Sequence, residues 1–206
     1  MKTSNYILIA LFSFIVGSIL VLFIAAIGHE NNPYGRGPNF EKKEYSLEDF
    51  SVMVVDPNLH IEFGPSENNS LSFYLTKDRE VSEKPFRISN DTLFVYSVAG
   101  LERRHSLRVS GNKLSAVIVK NDSHVSINHF NSEALSVDVQ QASFSIDNSD
   151  IRELNVSGDK AGIRMYSSKI ESISARLKNE SSFDISRNAN KLDIEKDETS
   201  RYSLYQ

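Results

Sequence analysis

The sequence predicts an all-β chain: a right-handed parallel β-solenoid with rungs of about 19 residues, preceded by one N-terminal transmembrane helix. Three observations predict it. Residues 6–28 form an uncharged, strongly apolar run. Beyond Leu47 apolar and polar residues alternate, and no helical spacing outlasts two turns after residue 50. The second half then repeats itself in three columns that keep one period.

The elements follow in chain order. Residues 1–5 read as a short cytoplasmic tail. Residues 6–28 would make a helix about 35 Å long, enough for a hydrocarbon layer of roughly 30 Å. A signal peptide cleaved near Ala26-Ile27-Gly28 is the alternative, but its apolar region usually spans only about 7–15 residues. Lys2 on the short side, against Arg36, Lys42 and Lys43 diluted by Glu30, Glu41 and Glu44, leaves the charge rule for orientation ambiguous. A tail of five residues has no room for a cytoplasmic domain, so the expected orientation has the N-terminus in the cytoplasm and the rest of the chain on the far side. Residues 29–45, punctuated by Pro33, Gly35, Gly37 and Pro38, read as a spacer.

From there the period is two. Phe50, Val52 and Val54 alternate, then Leu59, Ile61 and Phe63, then Leu71, Phe73 and Leu75. Asp56-Pro57-Asn58, Gly64-Pro65-Ser66 and Ser89-Asn90-Asp91 separate such runs with turn-forming residues. These strands either begin the solenoid or cap it.

The repeat itself is carried by Leu114, Leu135, Leu154, Ile173 and Leu192, spaced by 21, 19, 19 and 19. Val125, Phe144, Ile163 and Phe183 follow at 19, 19 and 20, and Phe130, Ile151, Ile170 and Ala189 at 21, 19 and 19. Each rung would stack on the last at about 4.8 Å. Ser, Asn, Asp and Gly supply the corners, as in Asp147-Asn148-Ser149. The solenoid domain is set at 46–197, and 198–206 reads as a polar tail that ends it. Five Asn-x-Ser/Thr sequences, at Asn68, Asn90, Asn121, Asn155 and Asn179, would be glycan acceptors in a eukaryotic secreted protein and otherwise read as turns, the reading that the resemblance given below implies.

Composition excludes several functions. Of 206 residues 24% are charged, and the net charge of -4 provides no basic field for nucleic acid. The absence of cysteine excludes disulfides, thiolate metal sites and cysteine nucleophiles. Phosphate-binding glycine loops, calcium-repeat signatures and a GxSxG elbow are absent. His124 and His129 are five apart and would face opposite sides of one strand, while His60 and His105 stand isolated, so no metal site is expected. No cofactor and no catalytic residue is assigned.

Outward positions of successive rungs supply the candidate binding residues. Ser115, Ser136, Asn155, Ser174 and Asp193 form one ladder that suits a repetitive glycan, or equally a solvated polar face. Ser126, Ser145, Arg164 and Asp184 form another, with Arg164 and Asp184 one rung apart as a surface ion pair. Asp138 and Arg176 share a column two rungs apart. No adjacent-rung carboxylates form the clustered pair that a β-helix glycan enzyme needs.

The alternation of Phe50-Ser-Val52-Met-Val54, of Leu59-His-Ile61-Glu-Phe63-Gly64, of Leu71-Ser-Phe73-Tyr-Leu75 and of Asp91-Thr-Leu93-Phe-Val95-Tyr96 resembles one known family. So do the Leu-x-Val and Ser-x-Phe-x-Ile steps of the Ser/Asn-rich repeat. It is the auto-transporter adhesin head GIN domain family of bacterial envelope proteins, and the likeness covers residues 46–195. The resemblance implies a solenoid outside the cytoplasm, in the periplasm or beyond, with no enzymatic residue. The partners it leaves are the membrane, through the N-terminal helix, and an envelope protein or polysaccharide. A β-helix enzyme on envelope polysaccharide and a sensing protein acting through a membrane partner are the rival readings.

Overall fold

The computed structural model describes residues 40–205 apart from 56, 77–79, 82, 100, 102–105 and 187–188. The expected tail 1–5, the expected helix 6–28 and the spacer up to residue 39 lie outside the described residues. Among the described residues no helix is long and apolar enough to cross a membrane.

Every regular element described is a strand. The first seven are β1 (Phe40–Ser46), β2 (Val52–Val55), β3 (His60–Pro65), β4 (Ser70–Thr76), β5 (Phe86–Ser89), β6 (Thr92–Val95) and β7 (Ser106–Gly111). The repeat supplies β8 (Ala116–Lys120), β9 (His124–Asn128), β10 (Asn131–Gln140), β11 (Ser143–Asp147) and β12 (Asp150–Asp159). It ends with β13 (Gly162–Tyr166), β14 (Lys169–Lys178), β15 (Ser182–Ser186), β16 (Ala189–Lys196) and β17 (Arg201–Tyr205).

Each rung gives one strand to each of two sheets. The nine-stranded sheet runs β1-β4-β7-β3-β9-β11-β13-β15-β17, and the eight-stranded sheet runs β16-β14-β12-β10-β8-β2-β6-β5. From β8 to β17 five rungs stack in parallel in sequence order. The earlier strands both start the stack and cap it. β2 and β3 lie directly beneath β8 and β9, and β6 and β7 lie beneath them, all in parallel. β4 and β5 then close that end in antiparallel fashion.

The alternation read from the sequence is the alternation of burial. In β9, β11 and β15 the second and fourth residues are buried and the others half-buried. Between the sheets lies one apolar core, with Phe63, Phe73, Phe144 and Phe183 among its largest buried side chains. Phe63 meets Phe130 edge to face at 5.5 Å, a favoured arrangement of aromatic quadrupoles.

Corners carry the polar residues for a reason beyond turn preference. Asn121, Asp122, Gln141, Asn148, Lys160, Ser167, Asn179 and Glu180 all adopt positive φ. Beside them Ser123, Ser149, Ser168, Ser181 and Ser200 point inward and are buried. Each hydroxyl accepts a backbone N–H from a neighbouring rung. Phe130 donates to Ser149 at 3.1 Å, Ser149 to Ser168 at 3.2 Å, Ala161 to Ser181 at 3.1 Å and Ser181 to Ser200 at 3.2 Å. Corner amides with no strand partner are thereby satisfied without water.

Two stretches expected to be irregular are strands. Residues 40–45, placed in the spacer, form β1 together with Ser46, and Tyr45 stacks on Phe73 at 6.1 Å and meets the edge of Phe86 at 5.5 Å. Four consecutive charged residues, Glu41 to Glu44, hide this strand from a hydropathy reading, and they pair along it as Lys42–Glu44 and Lys43–Glu41. Residues 201–205, placed in the polar tail, form β17 and extend the nine-stranded sheet.

Candidate binding face

The candidate ladder lies on the outer side of the eight-stranded sheet. Ser136 is in register with Asn155, Asn155 with Ser174, and Ser174 with Asp193. All four are exposed. Ser115 is not part of it. Ser136 is in register with Ala116 instead, and Ser115 precedes β8, its hydroxyl donating to the Ser51 carbonyl at 3.0 Å. The cause is the match of Leu114 to Leu135, which lie 21 residues apart where the register between β8 and β10 is 20. That 20 exceeds the 19 between β10 and β12 because Asn121 and Asp122 are both left-handed and make their corner one residue longer than the one at Gln141. The third column slips by two, since Ile151 is in register with Ser132, 19 residues before it, rather than with Phe130, 21 before it.

The ladder borders a shallow groove of about 490 Å³ lined by Ser136, Asp138, Asn155, Ser157, Ser174 and Arg176. Asp138 and Arg176 do stand two rungs apart, with Ser157 between them. Arg176 turns to Glu195 at 2.9 Å, and Gln140 donates to Asp138 at 2.8 Å. The groove thus offers hydroxyls, an amide and one cation at the rung spacing. It holds no pair of carboxylates arranged as acid and base.

Toward β5 the same face changes character. The outward column continuing Ser157 and Asp138 runs through Ile118, Val54, Phe94 and Arg87. The Arg87 guanidinium lies 4.6 Å from the centroid of the Phe94 ring. A depression of about 520 Å³ there is lined by Val54, Phe94 and Tyr96, with Arg87 and Lys120 supplying cations. Sequence reasoning missed this strip because it took alternation to mean apolar inside and polar outside. In β2, β6 and β8 both faces are largely apolar. Such runs were the available signal.

On the nine-stranded sheet Ser126, Ser145, Arg164 and Asp184 are in register, and Arg164 reaches Asp184 at 3.9 Å. With Arg164 mostly in solvent, this pair contributes about 0–1 kcal/mol. His60 is not isolated. It lies in register with His124, their ring centroids 4.7 Å apart, and His124 Nδ1 is 2.8 Å from Ser143 Oγ. Burial lowers the pKa of His124, and His60 and Arg164 lower it further, against the pull of Glu62. His129 sits exposed at a left-handed corner beyond β9. Among the described residues no three of His, Asp, Glu or Cys gather as metal ligands.

Three of the Asn-x-Ser/Thr asparagines, Asn90, Asn121 and Asn179, sit at left-handed corners as expected. Asn155 does not; it lies within β12, on the ladder.

No family model and no curated protein matches the chain. Solved structures do. One from Bacteroides fragilis, named "putative adhesin", is 13% identical and superimposes with a TM-score of 0.53, covering 82% of this chain and 97% of that one. Another from Parabacteroides distasonis, named "putative lipid binding protein", is 12% identical with a TM-score of 0.51, covering 76% and 74%. At these identities the likeness is one of fold: this chain shares the β architecture of both.

Proposed function

We propose that the chain is a non-catalytic, single-pass membrane-anchored protein of the bacterial envelope that binds through the outer face of its eight-stranded sheet, in the manner of an adhesin. One observation carries this reading: Ser136, Asn155, Ser174 and Asp193 repeat in register along an open groove. An extended hydroxyl-rich polymer meets the same kind of donor and acceptor at every rung, about 4.8 Å apart. Each contact is weak, and many contacts on one polymer raise the overall affinity without any pocket. An envelope polysaccharide has that chemistry. The adhesin-like name of the matched Bacteroides structure, and the resemblance to the GIN family, support the same class of role. The uncharged run 6–28 supports the anchor.

The test uses the full chain and polysaccharide from envelopes of the producing cells. Saturable binding is expected, and Asn155→Leu with Ser174→Leu should weaken it at least ten-fold. Ser145→Leu, on the other sheet, should leave it unchanged. Equal affinity in all three proteins would sink the ladder as the binding face. Retention of the chain in membranes through an alkaline carbonate wash checks the anchor.

A second reading rests on the strip of Val54, Phe94 and Tyr96 flanked by Arg87 and Lys120. Apolar surface beside two cations suits an anionic lipid, and the matched Parabacteroides structure is named as lipid binding. Binding of the full chain to anionic but not zwitterionic vesicles, lost in Arg87→Glu with Lys120→Glu, would favour it.

A further inference from the structure

The two ends of the stack are built differently. At the β5 end, antiparallel β4 and β5 continue the sheets, and β1, with the charges of Glu41, Lys42, Lys43 and Glu44 paired along it, is the outermost strand beside β4. At the other end β16 and β17 are the outermost strands, and among the described residues none lies beyond them. Their side chains continue the core columns. Leu192 is in register with buried Ile173, Ile194 with Ala175, Tyr202 with Phe183 and Leu204 with Ile185. Leu192 is nevertheless 38% exposed, Tyr202 46% and Leu204 43%. An apolar core therefore ends in the open, beside two strand edges able to pair further.

We propose that a second copy of this chain covers that end, pairing β16 with β16 in antiparallel fashion about a twofold axis. Charge complementarity selects the occupant. The exposed stretch reads Lys191-Leu192-Asp193, and a twofold axis at Leu192 sets each Lys191 opposite Asp193 of the other copy. Leu192 then faces itself, on the side of the core. Both charges stand on the outer face, where the Ser172 and Ser174 columns lie, so the ion pairs flank the apolar contact rather than being buried in it. The pairing is antiparallel and symmetric, so it uses each copy's open end once and the capped β5 ends stop growth. The result is a closed dimer rather than a fibre. The two polar ladders become one, doubled in length.

The chain has no cysteine, which makes the test direct. In the full chain in detergent, Leu192→Cys should yield a covalent dimer under mild oxidation, and Ser157→Cys, exposed in mid-stack, should not. Sedimentation should give a dimer for the natural chain and a monomer for Lys191→Asp, with dimer mass regained in Lys191→Asp with Asp193→Lys. A natural chain monomeric at all concentrations would overturn the proposal, as would a dimer that survives Lys191→Asp. The first result means that something else covers the end, such as residues 1–39; the second means that the copies meet elsewhere.

Discussion

The imidazoles of His60 and His124 lie with centroids 4.7 Å apart on the paired strands β3 and β9. They are distant in sequence and meet because the chain returns to stack β9 directly on β3. Burial, His60 and Arg164 all lower the pKa of His124, so the folded protein resists protonating it. The unfolded chain takes up that proton near the ordinary 6.5, before the folded one does. Stability from this group is therefore complete above that pH and declines as the pH falls below it. Thermal melts from pH 7.5 to 5 should show a falling Tm, and His124→Gln should flatten the trend. An identical trend in the variant would remove His124 from the explanation. Glu62, His60 and Arg164 are the other charged or titratable groups facing it.

The buried serines make a second prediction. Ser149 Oγ accepts from Phe130 N–H and donates to the Asp147 carbonyl. Ser149→Ala leaves a buried amide without its acceptor, at a cost of about 1–3 kcal/mol. Urea denaturation should show that loss. A midpoint equal to the natural protein's would mean the corner relaxes to satisfy the amide otherwise.

Gly158 occupies an inward position of β12. A Cβ there would lie 3.1 Å from Leu177 Cδ2, 3.2 Å from Ile163 Cδ1 and 3.3 Å from Ala161 Cβ. Gly158→Val overpacks the core and should destabilise the domain by about 1–3 kcal/mol, read by chemical denaturation. A stability gain would mean that the space is larger than these distances imply.

Asp197 holds the last corner. Its carboxylate accepts from Asn179 N–H at 2.7 Å, Ser200 N–H at 2.8 Å and Thr199 Oγ1 at 2.9 Å. The Asn179 bond first, then those from Ser200 and Thr199, hold its pKa well below the ordinary 3.8. Its contribution is present above that ordinary value and is lost only as pH falls toward the depressed one. Amide hydrogen exchange of residues 197–205 should accelerate in Asp197→Ala at neutral pH while β12 keeps its protection. Unchanged exchange in that segment would contradict this role.

Much of this fold was legible in residues such as Leu135, Leu154 and Ile173, whose spacing of 19 is the true rung length and whose side chains are buried. Four of the five ladder residues followed from it. Ser115 did not, because matching one leucine to the next, Leu114 to Leu135, spans 21 residues where the register is 20, and composition does not reveal the slip. The contact of His60 with His124 depends on a return of the chain that no local pattern encodes. Nor does local pattern distinguish a corner serine that faces solvent from Ser149 or Ser168, which face inward and bond the next rung. The open end was hidden because Leu192 read as an ordinary inward residue and Leu204 fell in the stretch read as a polar tail.

Groove, ladder and open end all depend on which residues of a rung face out. Leu154 is 1% exposed and its neighbour Asn155 lies on the ladder. The most direct measurement compares Leu154→Asp with Asn155→Asp by circular dichroism and thermal melting. Leu154→Asp buries an unpaired charge and should abolish the cooperative transition, while Asn155→Asp should keep the natural Tm within a few degrees. Two silent substitutions, or loss of folding in Asn155→Asp alone, would contradict the register on which this account stands.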